Sequence, residues 1–365
     1  MSTIVRLDGA NADILLPPGA DLPMYVQGIR ARSLFKVHPA LAARSSTIRS
    51  STIEAPRTSP YIAITVAHPD RLIPGEDPDT DHLIALVKNL GCRPLLVPPC
   101  ADVVIDASTR HEALHAMTHM LDGILGPGGD DVDPRLYGES RSAAVQETHY
   151  LRDRFEADFA LTAREQHLFM FGICRSHQLW NAAFGGSLVQ DVRVEGRSVL
   201  TQDQEAHGIP LDQPFIVRWP DGTVRLEHRV HIAPGSWLGA ALKVESMLTN
   251  SYHHQAVDVP GRGMRVVGVV RDEESKKDTI EVTEDWNVIT TQFHPELMQS
   301  AHEQKTLFGM LGRRAHVFWA LRSLRNEGAV STDALVARLY ALPSGLLADD
   351  DWTWVNEALV PRLSG

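Results

Sequence analysis

Between residues 60 and 175, short apolar runs alternate with stretches of helical period. That alternation limits the fold of this 365-residue chain more than any other feature. Tyr61-Ile62-Ala63-Ile64-Thr65-Val66, Pro94-Leu95-Leu96-Val97, residues 121–125 and Leu168-Phe169-Met170-Phe171-Gly172-Ile173 have the length and residue types of buried strands. Residues 79–90, 108–120 and 149–167 lie between them with helical spacing. In the first, Leu83, Ile84, Leu86, Val87 and Leu90 share a face and Gly91 follows as a stop. Ser108 reads as the cap of the second. Strands joined by helices of ten or more residues must run parallel, because a hairpin cannot make that connection. The pattern predicts an α/β protein with an open, mostly parallel central sheet and helices on both faces. Strand-like runs return at 265–270, 279–283 and 287–291, and residues 301–325 and 332–340 read as helices. Around 190–245 the pattern fades, with Pro210, Pro214, Pro220 and Pro234 interrupting it.

The flanks differ from this centre. Residues 1–59 hold seven Lys and Arg against four Asp and Glu, in a chain whose formal net charge is −11. Residues 43–60 are rich in Ser, Thr, Arg and Pro, as in a linker. Ile14-Leu15-Leu16 and Leu34-Phe35 are apolar clusters able to dock on the main body. The expected organisation is an N-terminal extension and linker over 1–59, a domain carrying the chemistry over 60–300, and a C-terminal helical extension over 301–365. The extensions suit packing on that domain, covering its site or building a homo-oligomer. A net acidic chain is a poor partner for nucleic acid or an anionic membrane. No apolar run has the length of a membrane helix, and no basic segment followed by an apolar run marks a signal peptide. The cysteines Cys92, Cys100 and Cys174 are an odd, sparse set that fits a reducing compartment, so a cytoplasmic location is expected.

The chemistry centres on Gly172-Ile173-Cys174-Arg175-Ser176-His177-Gln178. An apolar strand enters Cys174 and a helical pattern leaves it. A nucleophile on such a turn stands exposed at the carboxyl end of a strand, where α/β sheets bind ligands. The helix N-terminus would favour a thiolate and supply N–H groups to an oxyanion. The heptapeptide alone fits a small buried cysteine equally well. Gln292-Phe293-His294-Pro295-Glu296 offers a base with a carboxylate two residues on, which can fix the imidazole tautomer. Gly126-Pro127-Gly128-Gly129-Asp130-Asp131-Val132-Asp133-Pro134 is a glycine turn that lets backbone amides approach a ligand, and its Asp spacing is not that of an EF-hand. His111-Glu112-Ala113-Leu114-His115 matches the helical zinc-hydrolase signature H-E-x-x-H, with His119 on the same stripe. The commoner reading of so short a pattern is an exposed polar helix face.

Four segments, in order, resemble class I glutamine amidotransferase-like hydrolases, and more narrowly their gamma-glutamyl-gamma-aminobutyrate hydrolase branch. They are the stretch from Pro127 through Tyr137-Gly138-Glu139, the elbow at Cys174 with Gln178, Asn181 and the run from Gly185 to Asp191, Asn250-Ser251-Tyr252-His253-His254-Gln255-Ala256, and His294-Pro295-Glu296. The resemblance implies a flavodoxin-like fold and a Cys-His-Glu triad of Cys174 as nucleophile, His294 as general base and acid, and Glu296 as its orienter. It implies an oxyanion hole from the backbone amides of Gly129 and Arg175. It places Gln178, His253, His254 and Gln255 near the substrate. The implied reaction is hydrolysis of a small gamma-glutamyl-amine through a thioester on Cys174, as in amine catabolism, with no metal and no organic cofactor. The implied partner is that small molecule alone. The same architecture serves ammonia-donating glutaminase subunits of synthases, which is the alternative. A zinc hydrolase through His111, Glu112 and His115, or a scaffold without catalysis, fits fewer of the residues. Two departures from the family stand out. Ser176 replaces the second glycine of the elbow, with His177 beside it as a candidate for altering substrate preference, and residues 271–278 form a longer, charged turn.

Overall fold

The structure is a computed structural model and describes residues 3–6, 12–20, 57–67, 77–100, 103–104, 106–192, 227–271, 277–298, 301–328 and 331–363. The Leu34-Phe35 cluster, most of the linker and the centre of the 271–278 turn lie outside the described residues. In chain order the elements are β1 (Thr3–Arg6), β2 (Asp13–Leu16), β3 (Tyr61–Thr65), α1 (Pro78–Asn89), β4 (Arg93–Val97), α2 (Ala107–Thr118), β5 (Gly123–Gly126), α3 (Tyr150–Glu165) and β6 (Phe169–Ile173). There follow α4 (Arg175–Ala183), β7 (Ser187–Val189), β8 (Glu227–Ile232), α5 (Trp237–Leu242), β9 (Ser246–Asn250), β10 (Ala256–Val259), β11 (Arg265–Val270), β12 (Thr279–Glu284) and β13 (Val288–Thr291). The helices α6 (Ala301–Asn326), α7 (Thr332–Tyr340) and α8 (Asp349–Trp354) come last. The fold is α/β, as the alternating pattern predicts. The chain divides into two compact units, one of residues 1–127, 151–171 and 308–365, the other of 128–150 and 172–307.

The first unit carries the parallel strands. Tyr61 lies opposite Arg93, Ala63 opposite Ile124, and Asp13 opposite Leu95, so β2, β4, β3 and β5 run side by side in one direction. β1 closes the edge antiparallel to β2. Ile14, Leu15 and Leu16 are fully buried there, so this N-terminal cluster is part of the sheet core. Asp122, just before β5, is wholly buried; one carboxylate oxygen accepts from the Tyr61 amide at 2.8 Å and from Arg57 at 2.6 Å, and Arg322 forms an ion pair with the other at 3.1 Å. Burial raises the Asp122 carboxyl above its usual range, against the pull of the two guanidinium groups. Helix α2 starts one residue before the predicted cap. The Asp106 carboxylate takes both the Ser108 amide at 3.0 Å and the Ser108 hydroxyl at 2.6 Å. An ionised acceptor outcompetes a hydroxyl for the free amides of a first turn.

The second unit is antiparallel. Its strands run β13-β12-β11-β8-β9, with β10 pairing both β12 and β7. All six residues of β12 are buried, including Thr279, Glu281, Thr283 and Glu284. Helix α4 lays a polar face on these strands, and the face is hydrogen-bonded. His177 Nδ1 lies 2.7 Å from Thr290 Oγ1, Thr290 Oγ1 lies 2.7 Å from Thr283 Oγ1, and Asn181 Nδ2 donates to Thr283 Oγ1 at 2.9 Å. A buried polar interface is tolerable only when its groups find partners in this way. Strands β7 to β10 escaped the sequence pattern because polar residues break up their apolar runs. β9, for instance, alternates exposed and buried positions and begins with a serine.

Candidate active site

Cys174 stands between β6 and α4 with φ 49° and ψ −103°. A non-glycine residue in that region stores strain of order 1–3 kcal/mol and holds it only where the surroundings leave no alternative. Here they leave none. The Cys174 amide donates to the Thr291 carbonyl at 2.7 Å, and its carbonyl accepts from Gln178 N at 3.1 Å. Gly172 lets the helix close on the strand, since a Cβ there would sit 2.8 Å from the Trp180 ring. Ser176 is buried in the first turn of α4 at 1% exposure, so the elbow forms with serine at this position. Arg175 opens the helix and is buried.

His294 follows β13 and faces this elbow. Its Nδ1 lies 2.7 Å from Glu296 Oε1. That contact fixes the ring and leaves Nε2 free to exchange a proton with a reacting atom. Burial alone would push the His294 imidazole toward neutrality. The Cys174 sulfur and the Glu296 carboxylate outweigh it and hold the proton well above the usual histidine range. Gly128 presses against the same ring, and a Cβ there would lie 2.7 Å from His294 Cε1 and 3.6 Å from Cys174 Cβ. The Gly128-Gly129 turn is therefore a wall of the site as well as a bend. Gly129 is exposed, at φ 152°, a backbone open to glycine and little else.

Two further residues hold the pair and were not singled out from the sequence. Asn250, at the end of β9, accepts from the His294 amide at 2.8 Å and donates to the His294 carbonyl at 2.7 Å, clamping its backbone from both sides. Gln292 Nε2 lies 3.5 Å from Cys174 Sγ. Both stand inside segments that drew attention for their neighbours, Asn250 before the two histidines and Gln292 before His294. Tyr252, half-exposed, meets the His294 ring edge-on at 5.9 Å.

The remaining sequence candidates form the frame around these groups. Gln178 donates to Gln292 Oε1 at 3.1 Å and to the Gln255 carbonyl at 3.0 Å. Gln255 accepts from the Val132 amide at 3.2 Å, tying the glycine turn to β10. His254 Nε2 lies 2.9 Å from Asp131 Oδ1, and its Nδ1 lies 3.8 Å from Asp191. His253 is buried, with Nδ1 on the Gln255 carbonyl at 2.9 Å and Nε2 3.4 Å from Glu281. His177 is wholly buried and pushed down to about 3 by desolvation. It is a neutral ring packed on β13, which accounts for its place in the sequence. Of the H-E-x-x-H residues, His111, Glu112 and His115 are all exposed on α2, and they make no convergent group of three ligand atoms. Cys92 and Cys100 are buried thiols raised by desolvation, to about 12 in the first case, and so are poor nucleophiles.

Comparison with known proteins agrees with this geometry. The Peptidase C26 family model matches residues 80–296. A glutamine amidotransferase-like protein of Lactococcus lactis is 31% identical over 212 residues, covering 56% of this chain and 79% of that one. Protein NtpR of Enterococcus hirae is 30% identical over 192 residues, 51% of this chain and 72% of that one. A glutamine amidotransferase-like protein of Rickettsia prowazekii is 26% identical over 256 residues, 64% of this chain and 85% of that one.

Proposed function

Since the chain belongs to the Peptidase C26 family, we propose that it is a cysteine-dependent hydrolase of small gamma-glutamyl-amines, releasing glutamate and the free amine. The observation that carries the reading is the joining of three features in one place. They are a cysteine on a strained strand-to-helix turn, an imidazole holding its proton against burial, and a carboxylate 2.7 Å behind that imidazole.

The chemistry follows from these groups. The Cys174 sulfur attacks the γ-carbonyl carbon and forms the C–S bond, while the carbonyl electron pair moves onto oxygen. The backbone amides of Gly129 and Arg175 are the proposed donors to that oxyanion. As the C–N bond breaks, His294 gives its proton to the leaving amine, and a gamma-glutamyl thioester stays on Cys174. Water then attacks the thioester carbon and passes a proton to His294, and the thiolate leaves. Glu296 keeps the imidazolium oriented through both steps. No metal or organic cofactor enters this sequence. The substrate is the one proposed partner, and a cytoplasmic setting suits a free thiol nucleophile.

An ammonia-donating glutaminase would use the same steps on glutamine, and the glutamine amidotransferase-like relatives make that the second reading. A panel of gamma-glutamyl amides, free glutamine included, with released glutamate as the readout, separates them. Turnover of amine conjugates well above glutamine supports the first reading. Glutamine turnover that rises sharply only with a partner synthase supports the second.

A further inference from the structure

A second constellation of ionisable groups lies within the same unit and has no part in the steps above. His228 on β8, His253 and Glu281 on β12 converge in the interior, with side chains 1%, 1% and 0% exposed. One ligand atom from each lies within 4.8 Å of the others, and among the described residues no other group of three His, Cys, Asp or Glu does this. His228 Nε2 is 3.2 Å from Glu281 Oε2, and His253 Nε2 is 3.4 Å from Glu281 Oε1. Neither Glu281 oxygen completes a hydrogen bond of acceptable angle, nor does His253 Nε2.

The proton positions make this arrangement costly if nothing else is present. His253 Nδ1 is 2.9 Å from the Gln255 carbonyl, an acceptor only, so Nδ1 carries a proton. A neutral His253 then aims its Nε2 lone pair at a buried carboxylate. The spacing fits a cation instead. Ligands about 2.0–2.1 Å from a tetrahedral zinc ion are about 3.3–3.4 Å apart. Each histidine Nε2 stands at about that distance from one Glu281 oxygen, His228 from Oε2 at 3.2 Å and His253 from Oε1 at 3.4 Å, and one atom from each residue falls within 4.8 Å of the others. The two rings stand nearly perpendicular at 77°, centroids 6.1 Å apart, as rings do when both point at one centre. The bond from His253 Nδ1 to a backbone carbonyl is the orienting contact that metal-bound histidines commonly make.

We propose that His228, His253 and Glu281 supply three protein ligands of a buried binding site for one divalent transition-metal ion, zinc by preference, with the fourth position left to water. Nitrogen and carboxylate donors on a buried sheet suit zinc better than calcium or magnesium, which take mostly oxygen ligands. The site ties β8 to β12 and to the segment entering β10, on which Gln255 sits. It shares no residue with the Cys174, His294 and Glu296 set, and its occupancy can be read without any substrate.

The test uses the full chain without a histidine tag, exposed to zinc and dialysed, with metal measured by mass spectrometry. About one equivalent per chain is expected to stay bound. Glu281→Gln and His228→Asn are expected to lose it, while a double His111→Ala/His115→Ala variant on the exposed helix keeps it. Cobalt substitution of the wild type is expected to give the intense visible bands of a four-coordinate site, with water as the fourth ligand. Should the interior variants fail to fold, the wild type alone decides. 1,10-Phenanthroline is expected to lower its Tm and added zinc to restore it. Wild-type protein that retains less than about a tenth of an equivalent overturns the proposal. So does metal that survives Glu281→Gln, or that leaves with the exposed histidines. A bare His–Glu–His ion cluster predicts the first of these outcomes together with a Tm indifferent to chelator.

Discussion

Two histidine–carboxylate pairs sit in the same unit and differ in almost every physical respect. His294 and Glu296 are two residues apart, partly open to solvent, and joined through Nδ1 at 2.7 Å. His253 and Glu281 come from separate segments, are sealed from water, and approach through Nε2 at 3.4 Å. In the first pair burial lowers the imidazole, the Cys174 sulfur and then the Glu296 carboxylate raise it well above the usual range, and the proton is available to a reacting atom. In the second, burial would raise the Glu281 carboxyl, yet the two histidines pull it down to about 2, so the charge is fixed and internal. The same two side chains thus make a proton shuttle at a surface and a rigid node in a core. Access decides which, since a group that must exchange protons needs a path to the reactant, whereas a structural ion pair only needs partners.

The sharpest way to break that comparison is at the nucleophile. Cys174→Ala is expected to reduce hydrolysis of a gamma-glutamyl amide by at least about 10³-fold, because no other group on the elbow can form the thioester. The variant should fold as the parent does, and steady-state glutamate release against far-ultraviolet dichroism checks both. The second pair should respond the other way. Glu281→Gln removes the one carboxylate of this buried cluster, and removing one member of a buried charged group costs about 3–5 kcal/mol. Urea denaturation should show that loss directly, as a lower midpoint at unchanged slope. An equal fall in turnover with no fall in stability would merge the two pairs into one functional unit.

The contrast also explains what could be read from the chain alone. Strands β3 to β6 announce themselves because each is a continuous apolar run followed by a helix of regular period. Cys174 is legible for the same reason, being the break between the two patterns. His294 and Glu296 are neighbours in sequence, so one glance holds both. Asn250 is different. It reaches His294 across 44 residues, by pairing that no local pattern encodes. Glu281 looks like one exposed position of an alternating strand, yet β12 is covered on both faces and every residue in it is buried. His177 reads as a residue placed beside the nucleophile for substrate. Its ring is buried and bonds Thr290 in the interior, where α4 packs on β13.

A milder change at the first pair should move a pH limb. Glu296→Gln keeps the shape but removes the negative charge that helps hold the His294 proton. The working state has that proton in place to deliver to the leaving amine. Activity is therefore expected to fall as pH rises through the His294 value, and the Gln variant should meet that fall at lower pH. A loss of about 10²-fold in kcat/KM near neutrality is expected. The kcat/KM profile from pH 5 to 10 measures both. An alkaline limb that does not shift would mean that Glu296 orients the ring without holding its proton.

The smallest effect belongs to Asn250, which touches no reacting atom and acts only on the position of His294. Asn250→Ala removes both bonds that clamp the His294 backbone. An imidazole free to drift by a few tenths of an ångström delivers its proton less often but still binds none of the substrate, so kcat should fall about tenfold with KM nearly unchanged. Asn250→Asp keeps the acceptor for the His294 amide and loses the donor to its carbonyl, and should recover part of the rate. The graded order wild type, Asp, Ala in kcat alone marks a positioning residue. If KM rises in the same order, Asn250 contacts substrate, and the open pair has a binding surface that the sealed pair lacks.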